Sequence, residues 1–156
     1  MEASPSVKIV AQNRKARHDY HIVQTYETGI VLLGSEVKSV REGHVNLRDC
    51  YAKIENGELF LIGMGISPYR NRGYVEVEER RQRKLLANRT ELRKLSRLVL
   101  EKGYTLIPLS VYFKGQYLKV ELAVAQGKRE YDKRDAKEEQ HAKRELDREI
   151  KRRRNS

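Results

Sequence analysis

The sequence predicts a mainly β fold with peripheral helices, and three patterns carry this prediction. Short apolar segments alternate with turn residues over 9–126. Helical spacing of apolar residues is limited to a few short stretches, and the composition changes sharply only once, at Gly127, after which charged residues dominate. We therefore expect five to six antiparallel strands with about three short helices, followed by a C-terminal tail.

The first hairpin is predicted from the dipeptide Asn56-Gly57, which favours the tight turn that matches the twist of paired strands. It joins apolar segments over 45–54 and 58–66. Ahead of it, residues 19–33 predict either two strands or one long bent strand, with an interruption at 26–29. All of these strands are short, which suits a small barrel.

The last hairpin is predicted over 105–113 and 117–125. In its second strand, apolar residues alternate with Lys119, Glu121 and two alanines, which predicts one buried face and one more polar face. Short antiparallel strands with peripheral helices indicate an OB-like, partly open barrel, the oligonucleotide-binding type. The fold alone does not establish that use.

Helical spacing predicts a first helix over 36–42. A second helical region is divided by a capping box, in which Asn88 accepts from the backbone and Glu91 reaches back. We therefore predict two helices there, over 79–87 and 89–102.

The positive charge is concentrated rather than spread. Lys and Arg together number 33 against 22 Asp and Glu, and residues 80–97 alone hold eight basic residues and one acidic residue. A second basic cluster, Arg14, Lys15 and Arg17, has amide, imidazole and phenol groups beside it. Such a mixture can combine phosphate contact with hydrogen bonding and base stacking. We interpret both clusters as a surface for RNA or DNA; the alternative is a solvated helix face plus an unstructured basic arm.

The C-terminal tail holds 12 Lys or Arg and 8 Asp or Glu over 128–154. Several acid–base pairs are spaced i,i+4, but each contributes only about 0.2–0.5 kcal/mol to a helix. The tail is therefore expected to be disordered when free and to fold into a helix on binding; a purely solubilising tail is the alternative. The predicted division is a flexible N-terminus over 1–8, a barrel over 9–126 and the tail over 127–156.

Sequence motifs for catalysis, metal binding or membrane insertion are not found. Cys50 is the single cysteine, the four histidines lack metal-ligand spacing, and no apolar run approaches the roughly 20 residues that span a bilayer. We expect a cytoplasmic protein that is not an enzyme, holds no cofactor or metal and does not enter a membrane.

Several short blocks, matched in order from about residue 9 to residue 135, resemble the small protein B (SmpB) family, the SsrA-binding proteins of bacterial trans-translation. The blocks lie at 13–20, 26–32, 34–39, 46–49, 83–86, 127–128 and 132–134. The agreement in order and spacing makes the resemblance specific. One departure is Ala87, where a third leucine is frequent in the family; it slightly reduces an apolar platform.

The resemblance implies a ribosome-rescue function. Members bind the tRNA-like domain of transfer-messenger RNA (tmRNA, or SsrA) and deliver it, alanylated and with elongation factor Tu and GTP, to stalled ribosomes. The barrel stands in for the missing anticodon arm, and the tail enters the empty decoding centre and mRNA channel along small-subunit ribosomal RNA. We expect a monomer, one per tmRNA. The alternative function is a general RNA-binding or ribosome-assembly protein.

The resemblance also implies site residues. The primary tmRNA-binding residues would be Asn13, Glu27, Leu86 and Lys119, with His18, Arg41 and Tyr51 as secondary candidates. The basic clusters add Arg14, Lys15, Arg17 and Lys84.

Three of the primary residues have other interpretations. Glu27 could be a turn residue bonded to the protein's own backbone, Leu86 an ordinary core residue and Lys119 a solvated lysine. In the tail, Gly127 would be a hinge. The decoding-centre segment would consist of Lys128, Tyr131, Asp132, Lys133 and Arg134.

Overall fold

The computed structural model describes residues 6–67, 79–128 and 130–154, and within the last helix it describes the side chains of 140–152. It contains nine strands and four helices in these ranges. In chain order they are β1 (Val7–Gln12), α1 (Arg14–Asp19), β2 (Tyr20–Ile30), α2 (Gly34–Arg41), β3 (Val45–Asn46), β4 (Tyr51–Glu55), β5 (Glu58–Ile62), β6 (Gly65–Ile66), β7 (Arg83–Leu86), α3 (Arg89–Lys102), β8 (Thr105–Lys114), β9 (Tyr117–Gly127) and α4 (Glu130–Arg154).

Six strands pair in a closed ring in the order β8-β4-β5-β7-β2-β9, with β9 returning to β8. One edge of β8 pairs along its length with β9, while the other edge pairs with β4 at Leu106 and with β1 further along. Strands β3 and β6 form a separate two-stranded sheet. The predicted mainly β fold with a six-stranded barrel is confirmed.

Both predicted hairpins are present, but the strands predicted over 45–54 and 58–66 are each divided in two, the first into β3 and β4 and the second into β5 and β6. In the first hairpin, Glu55 pairs with Glu58 around Asn56 and Gly57, and both turn residues have positive φ angles, 52° and 75°. Two consecutive left-handed residues are what a tight two-residue hairpin turn requires, and Asn-Gly tolerates them best. The second hairpin joins β8 to β9 over the predicted residues.

The helix predicted over 79–87 is wrong. Residues Arg83–Leu86 form β7, which pairs with β5 on one side and with β2 on the other. The burial there alternates with a period of two, since Arg83 and Leu85 are buried whereas Lys84 and Leu86 are exposed. Closing the barrel between β5 and β2 outweighs the good helix propensity of these residues.

The helix predicted over 89–102 is confirmed with both of its end signals. The Asn88 side chain accepts a hydrogen bond from the Glu91 backbone N–H at 2.8 Å, and Gly103 ends the helix in the left-handed conformation at φ 67°. Leu95 is fully buried in the core, so this helix is fixed to the barrel by its apolar side.

The segment around β2 differs from the prediction in two ways. Residues Arg14–Asp19 form α1, a helix that the sequence analysis did not predict. Strand β2 then runs unbroken through 26–29, paired with β9, and its one irregularity lies at Ile22/Gln24. The two-strand alternative and the interruption are therefore wrong, and the long bent strand is right.

The barrel has one main core and a smaller second cluster outside it. The second cluster packs Ala16 of α1 against Ile107 and Leu109 of β8 and against Ala123 and Ala125 of β9. The predicted polar face of β9 is therefore polar only at its other end, where Lys119 and Glu121 lie. Because alanine side chains are small, α1 packs closely against the outside of the barrel at this point.

Candidate nucleic-acid interface

Helix α1 is held on the barrel by Asn13. The Asn13 side chain donates from Nδ2 to the Pro108 carbonyl at 3.1 Å, and its Oδ1 accepts from the Ala16 backbone N–H at 3.3 Å as the N-cap of α1. Its own backbone N–H donates to the Leu109 carbonyl at 2.7 Å. With Ala16 buried beneath the helix, the three cations of α1 are exposed to solvent. The cations are Arg14, Lys15 and Arg17.

The outer face of the sheet carries a row of directly paired residues. Leu86 pairs with Gly29, Gly29 with Lys119, and Lys119 with Tyr112. Directly paired residues in an antiparallel sheet point to the same face. Leu86 is 51 % exposed, which removes the interpretation of this leucine as an ordinary core residue. Gly29 leaves one flank of Leu86 free of any side chain.

Glu27 lies two residues before Gly29 and so shares this outer face. Its carboxylate accepts hydrogen bonds from the Tyr112 hydroxyl at 2.5 Å and from the Lys114 ammonium at 3.4 Å. The Tyr112 hydrogen bond, followed by the nearby Lys114 and Lys119 charges, holds the pKa of Glu27 below its usual value. Glu27 is therefore a fixed, ionised acceptor, held by side chains rather than by backbone in a turn.

A second carboxylate stands beside the first. Glu121 of β9 pairs directly with Glu27, and the Ser110 hydroxyl donates to it at 3.3 Å. Like charges directly opposite one another on a sheet are destabilising. Lys114 and Lys119 partly offset this repulsion, so the outer face alternates negative and positive groups.

Two clefts join the outer face and β4 to α1. A cleft of about 260 Å³ lies between the helix and the sheet, with Arg14 and Arg17 on one wall and Ser110 and Glu121 on the other. A cleft of about 380 Å³ on the side of β4 is lined by Lys15 and by the half-exposed ring of Tyr51, among others. Asn13 borders both. The structure thus brings most predicted tmRNA-binding residues onto one continuous surface, which we call the α1–sheet surface.

The remaining candidates have neighbours in the protein. Lys84, on the same side of β7 as Leu86, pairs with Glu58 at 3.2 Å. The His18 ring bonds through Nδ1 to Asp19 at 2.9 Å. Arg41, at the end of α2, stacks over the Phe113 ring at 5.4 Å, and none of the clefts around α1 includes it.

The tail begins against α1. Gly127 is the last residue of β9 and pairs with Tyr20. The Lys128 backbone N–H donates to the Asp19 carbonyl at 2.8 Å, and its ammonium donates to the Arg17 carbonyl at 3.3 Å. Residues Tyr131, Asp132, Lys133 and Arg134 lie in the first turns of α4, and their side chains are outside the described set. The tail is helical here; that it is disordered when free stays a prediction.

The charge cluster over 80–97 needs correction, because two of its cations serve the fold. Arg83 is fully buried, and its guanidinium donates to Glu36 and to three backbone carbonyls. Arg81 also donates to Glu36. Burial alone would raise the pKa of Glu36, but the bonds from Arg81, the Leu33 N–H and Arg83 lower it. Sequence pattern could not separate these arginines from the exposed ones, since burial depends on barrel closure.

The sequence analysis placed Glu121 on the polar face of its strand but missed Ser110, Tyr112 and Lys114 as members of the same outer face. The segment 105–113 is apolar at nearly every position, so its sequence does not show which side chains face outward. Their position on this face follows only from the pairing of β8 with β9 and of β9 with β2.

Among the described residues, no group of three or more His, Cys, Asp or Glu could hold a metal ion, and no helix there is both long and apolar enough to cross a membrane. Burial raises the pKa of the Cys50 thiol to about 12, so it is a poor nucleophile.

Comparisons with known proteins identify the family to which the chain belongs. The model of the SmpB protein family matches residues 10–152. The SsrA-binding protein of Clostridium botulinum (strain Hall) is 56% identical over 144 residues, covering 92% of each chain. That of Clostridium beijerinckii is 54% identical over 142 residues, covering 91% of each. A solved structure described as "tmRNA-SmpB: a journey to the center of the bacterial ribosome" is 48% identical, with a TM-score of 0.64, and the match covers 81% of this chain and 92% of that one. The chain belongs to the SmpB family.

Proposed function

We propose that this protein binds the tRNA-like domain of tmRNA through the α1–sheet surface and brings it to stalled ribosomes for trans-translation. One observation carries the proposal. Glu27, Lys119 and Leu86 lie on one outer face of the sheet, and a cleft connects this face to the exposed cations of α1. The relatives are named SsrA-binding proteins, and the similar solved structure is described by tmRNA and the bacterial ribosome.

The chemistry of the surface fits structured RNA. The α1 cations are exposed and suit phosphates, whereas an ionised Glu27 repels phosphate and must accept from a 2′-hydroxyl or a base amino group. Leu86 offers an apolar contact for a ribose or a base. Mixed groups of this kind position one particular RNA shape rather than any polyanion.

Asn13 acts in this proposal mainly by positioning α1, because its amide already bonds to Pro108 and Ala16. Tyr51 and Lys15 contact RNA along the β4 side. His18 and Lys84 lie near the RNA, while Arg41 contributes least, since it lies on Phe113 away from the clefts.

The rest of the proposal concerns the division of labour. The barrel, about 9–126, holds the tRNA-like domain, and the basic tail from Gly127 enters the decoding centre of the small subunit with Lys128, Tyr131, Asp132, Lys133 and Arg134 at its start. One copy acts per tmRNA, in the cytoplasm, together with elongation factor Tu and GTP. The protein catalyses no reaction; it supplies shape and charge.

The test is a competition measurement. The tRNA-like domain of tmRNA is bound in the presence of excess tRNA and of an unrelated RNA duplex. The proposal expects the tmRNA domain to be preferred, and Lys119→Gln to weaken it roughly tenfold, or about 1.4 kcal/mol. The matched control is Lys38→Gln, an exposed lysine of α2 that lines none of the clefts around α1, which should change binding less than about twofold. Equal affinity for all three RNAs would show a general RNA-binding protein instead.

A further inference from the structure

The cleft between α1 and the sheet is lined by opposite charges that do not neutralise each other. Arg14 and Arg17 of α1 form one wall, and Glu121 of β9 lies on the other. Among the described side chains, none of these three forms an ion pair, so the cleft keeps the guanidinium groups and the carboxylate apart. A molecule that fills the cleft therefore meets two cations on one side and an anion on the other.

The carboxylate of Glu121 is held on its wall by strand pairing. Glu121 pairs directly with Ser110, whose hydroxyl donates to Oε2 at 3.3 Å, and Ser110 pairs in turn with Gln12, which also lines the cleft. On its other side Glu121 lies opposite Glu27, and like charges in this arrangement destabilise a sheet. Residues that work against the fold without a compensating contact are expected at functional positions.

The two walls together suit one nucleotide with an unpaired base. Arginine guanidinium groups bind phosphate oxygens and also stack on base planes, and unstacked bases are read through hydrogen bonds to their Watson–Crick edges. The half-exposed Ile9 and the buried Leu109 add an apolar lining. The cleft volume of about 260 Å³ is smaller than the roughly 300–1,000 Å³ of pockets for drug-sized ligands, which fits a single base.

The carboxylate on the sheet wall restricts which base can bind. A carboxylate only accepts hydrogen bonds, and it has about four acceptor positions, so the bond from Ser110 leaves room for two further donors. Guanine is the standard base whose Watson–Crick edge presents two adjacent donors, the ring N1–H and the N2 amino group. Adenine and cytosine each place an acceptor beside the amino group, and uracil places its one donor between two carbonyls.

We propose that this cleft binds one unpaired guanine of the tRNA-like domain, and that Glu121 determines the base specificity. Arg14 and Arg17 hold the phosphate and the plane of this nucleotide, while Glu121 accepts from N1–H and from the N2 amino group. The proposal rests on the proposed function and adds to it a base-specific contact by a residue outside the predicted set.

Glu121→Gln separates base recognition from general electrostatics. Removing a negative charge strengthens non-specific attraction of phosphate and relieves the repulsion of Glu27, so the variant should be at least as stable as wild type. We nevertheless expect affinity for the tRNA-like domain to fall about tenfold, because the glutamine amino group opposes the guanine donors. The matched control is Glu55→Gln, at an exposed residue of β4 paired with Lys53, which should change affinity less than about twofold.

Chemical probing of the complex identifies the bound base. Kethoxal reacts with N1 and N2 of unpaired guanines. Wild-type protein should protect at least one such guanine of the tRNA-like domain, and Glu121→Gln should leave that guanine reactive. Inosine at the same position lacks the N2 amino group, so it should weaken wild-type binding several-fold and cause no further loss in Glu121→Gln.

The possible results separate the proposal from its alternatives. Wild-type or tighter affinity of Glu121→Gln, an equal loss in Glu55→Gln, or kethoxal protection that does not depend on Glu121 would overturn it. Protection of an adenine or a cytosine that depends on Glu121 would assign the cleft to another base and would also overturn it. Failure of the proposed function is a different result, since the wild-type protein would then not prefer the tRNA-like domain to tRNA.

Discussion

Arg83 lies in the barrel core with every N–H of its guanidinium bonded. Nε and both terminal nitrogens donate to the Glu36 carboxylate or to the carbonyls of Met64, Glu79 and Arg81. A buried charge of this kind tolerates loss of its partner poorly, because the remaining ion is left without compensation. The ion pair between Arg83 and Glu36 holds α2 against β7.

Arg83→Met should therefore destabilise the protein by about 3–5 kcal/mol, measured by urea unfolding. The neighbouring change Lys84→Met removes a half-exposed pair with Glu58 and should cost less than about 1 kcal/mol. Similar losses for the two substitutions would contradict the structural role assigned to Arg83.

The buried carboxylate of Glu36 should make the stability of the protein depend on pH in the acid range. Its pKa is lower in the folded protein than the ordinary value of 4.5, so its contribution to stability is fully present above that value and is lost as the pH falls toward the folded pKa. Glu36→Gln should be less stable than wild type near neutral pH and should lose less stability between about pH 5 and about pH 3. Parallel stability curves for the two proteins would contradict this assignment.

Tyr112→Phe tests how Glu27 is held. Loss of the hydroxyl should raise the pKa of Glu27, because its strongest hydrogen bond disappears, and should cost about 1 kcal/mol of stability. NMR titration of the Glu27 carboxyl measures the shift, and affinity for the tRNA-like domain should fall several-fold as the carboxylate loses its orientation. The oppositely directed shift, or none, would show that Tyr112 does not govern Glu27.

At the scale of elements, the two hairpins and α3 were predictable because short signals specify them locally. Asn56-Gly57 selects a turn, and Asn88 with Gly103 delimits a helix. Strand β7 was not predictable, since Arg83–Leu86 follows good helix formers and becomes a strand only by filling the gap between β5 and β2. Helix α1 was missed because its six residues are too few for a periodic apolar pattern.

Asn13 and Asn88 cap two helices in the same way and allow a matched comparison. Both Asn13→Ala and Asn88→Ala lose an N-cap hydrogen bond and should cost about 1 kcal/mol each. Asn13→Ala also loses the bond to Pro108 and should displace α1, so affinity for the tRNA-like domain should fall about tenfold. Asn88→Ala should leave that affinity unchanged; equal effects would mean that α1 is not part of the RNA surface.

At the scale of the whole molecule, the surface is assembled from distant parts of the chain. Asn13, Glu27, Leu86 and Lys119, the candidates that the resemblance implies, lie together or adjoin one another, although they are up to 106 residues apart in sequence; their binding role stays a prediction. Composition alone indicated a basic protein, and it wrongly included the buried Arg83 in the basic surface. The pairing of β2 with β7 and β9 is what joins the set, and such long-range pairing leaves no local signature.

The start of the tail is hydrogen-bonded to the α1–sheet surface. Lys128 bonds to the carbonyls of Arg17 and Asp19 at the end of α1, so the structural boundary of the barrel lies one residue beyond Gly127. Truncation after Lys128 keeps these bonds and removes only α4. It separates the two halves of the proposal more cleanly than truncation after Gly127.

The most direct measurement compares the full chain with the chain ended after Lys128 in two assays. The account predicts that affinity for the tRNA-like domain stays within about twofold, whereas tagging of stalled chains on ribosomes is abolished. If affinity for that domain collapsed with the tail, or if tagging survived without it, the division of labour between the α1–sheet surface and α4 would be contradicted.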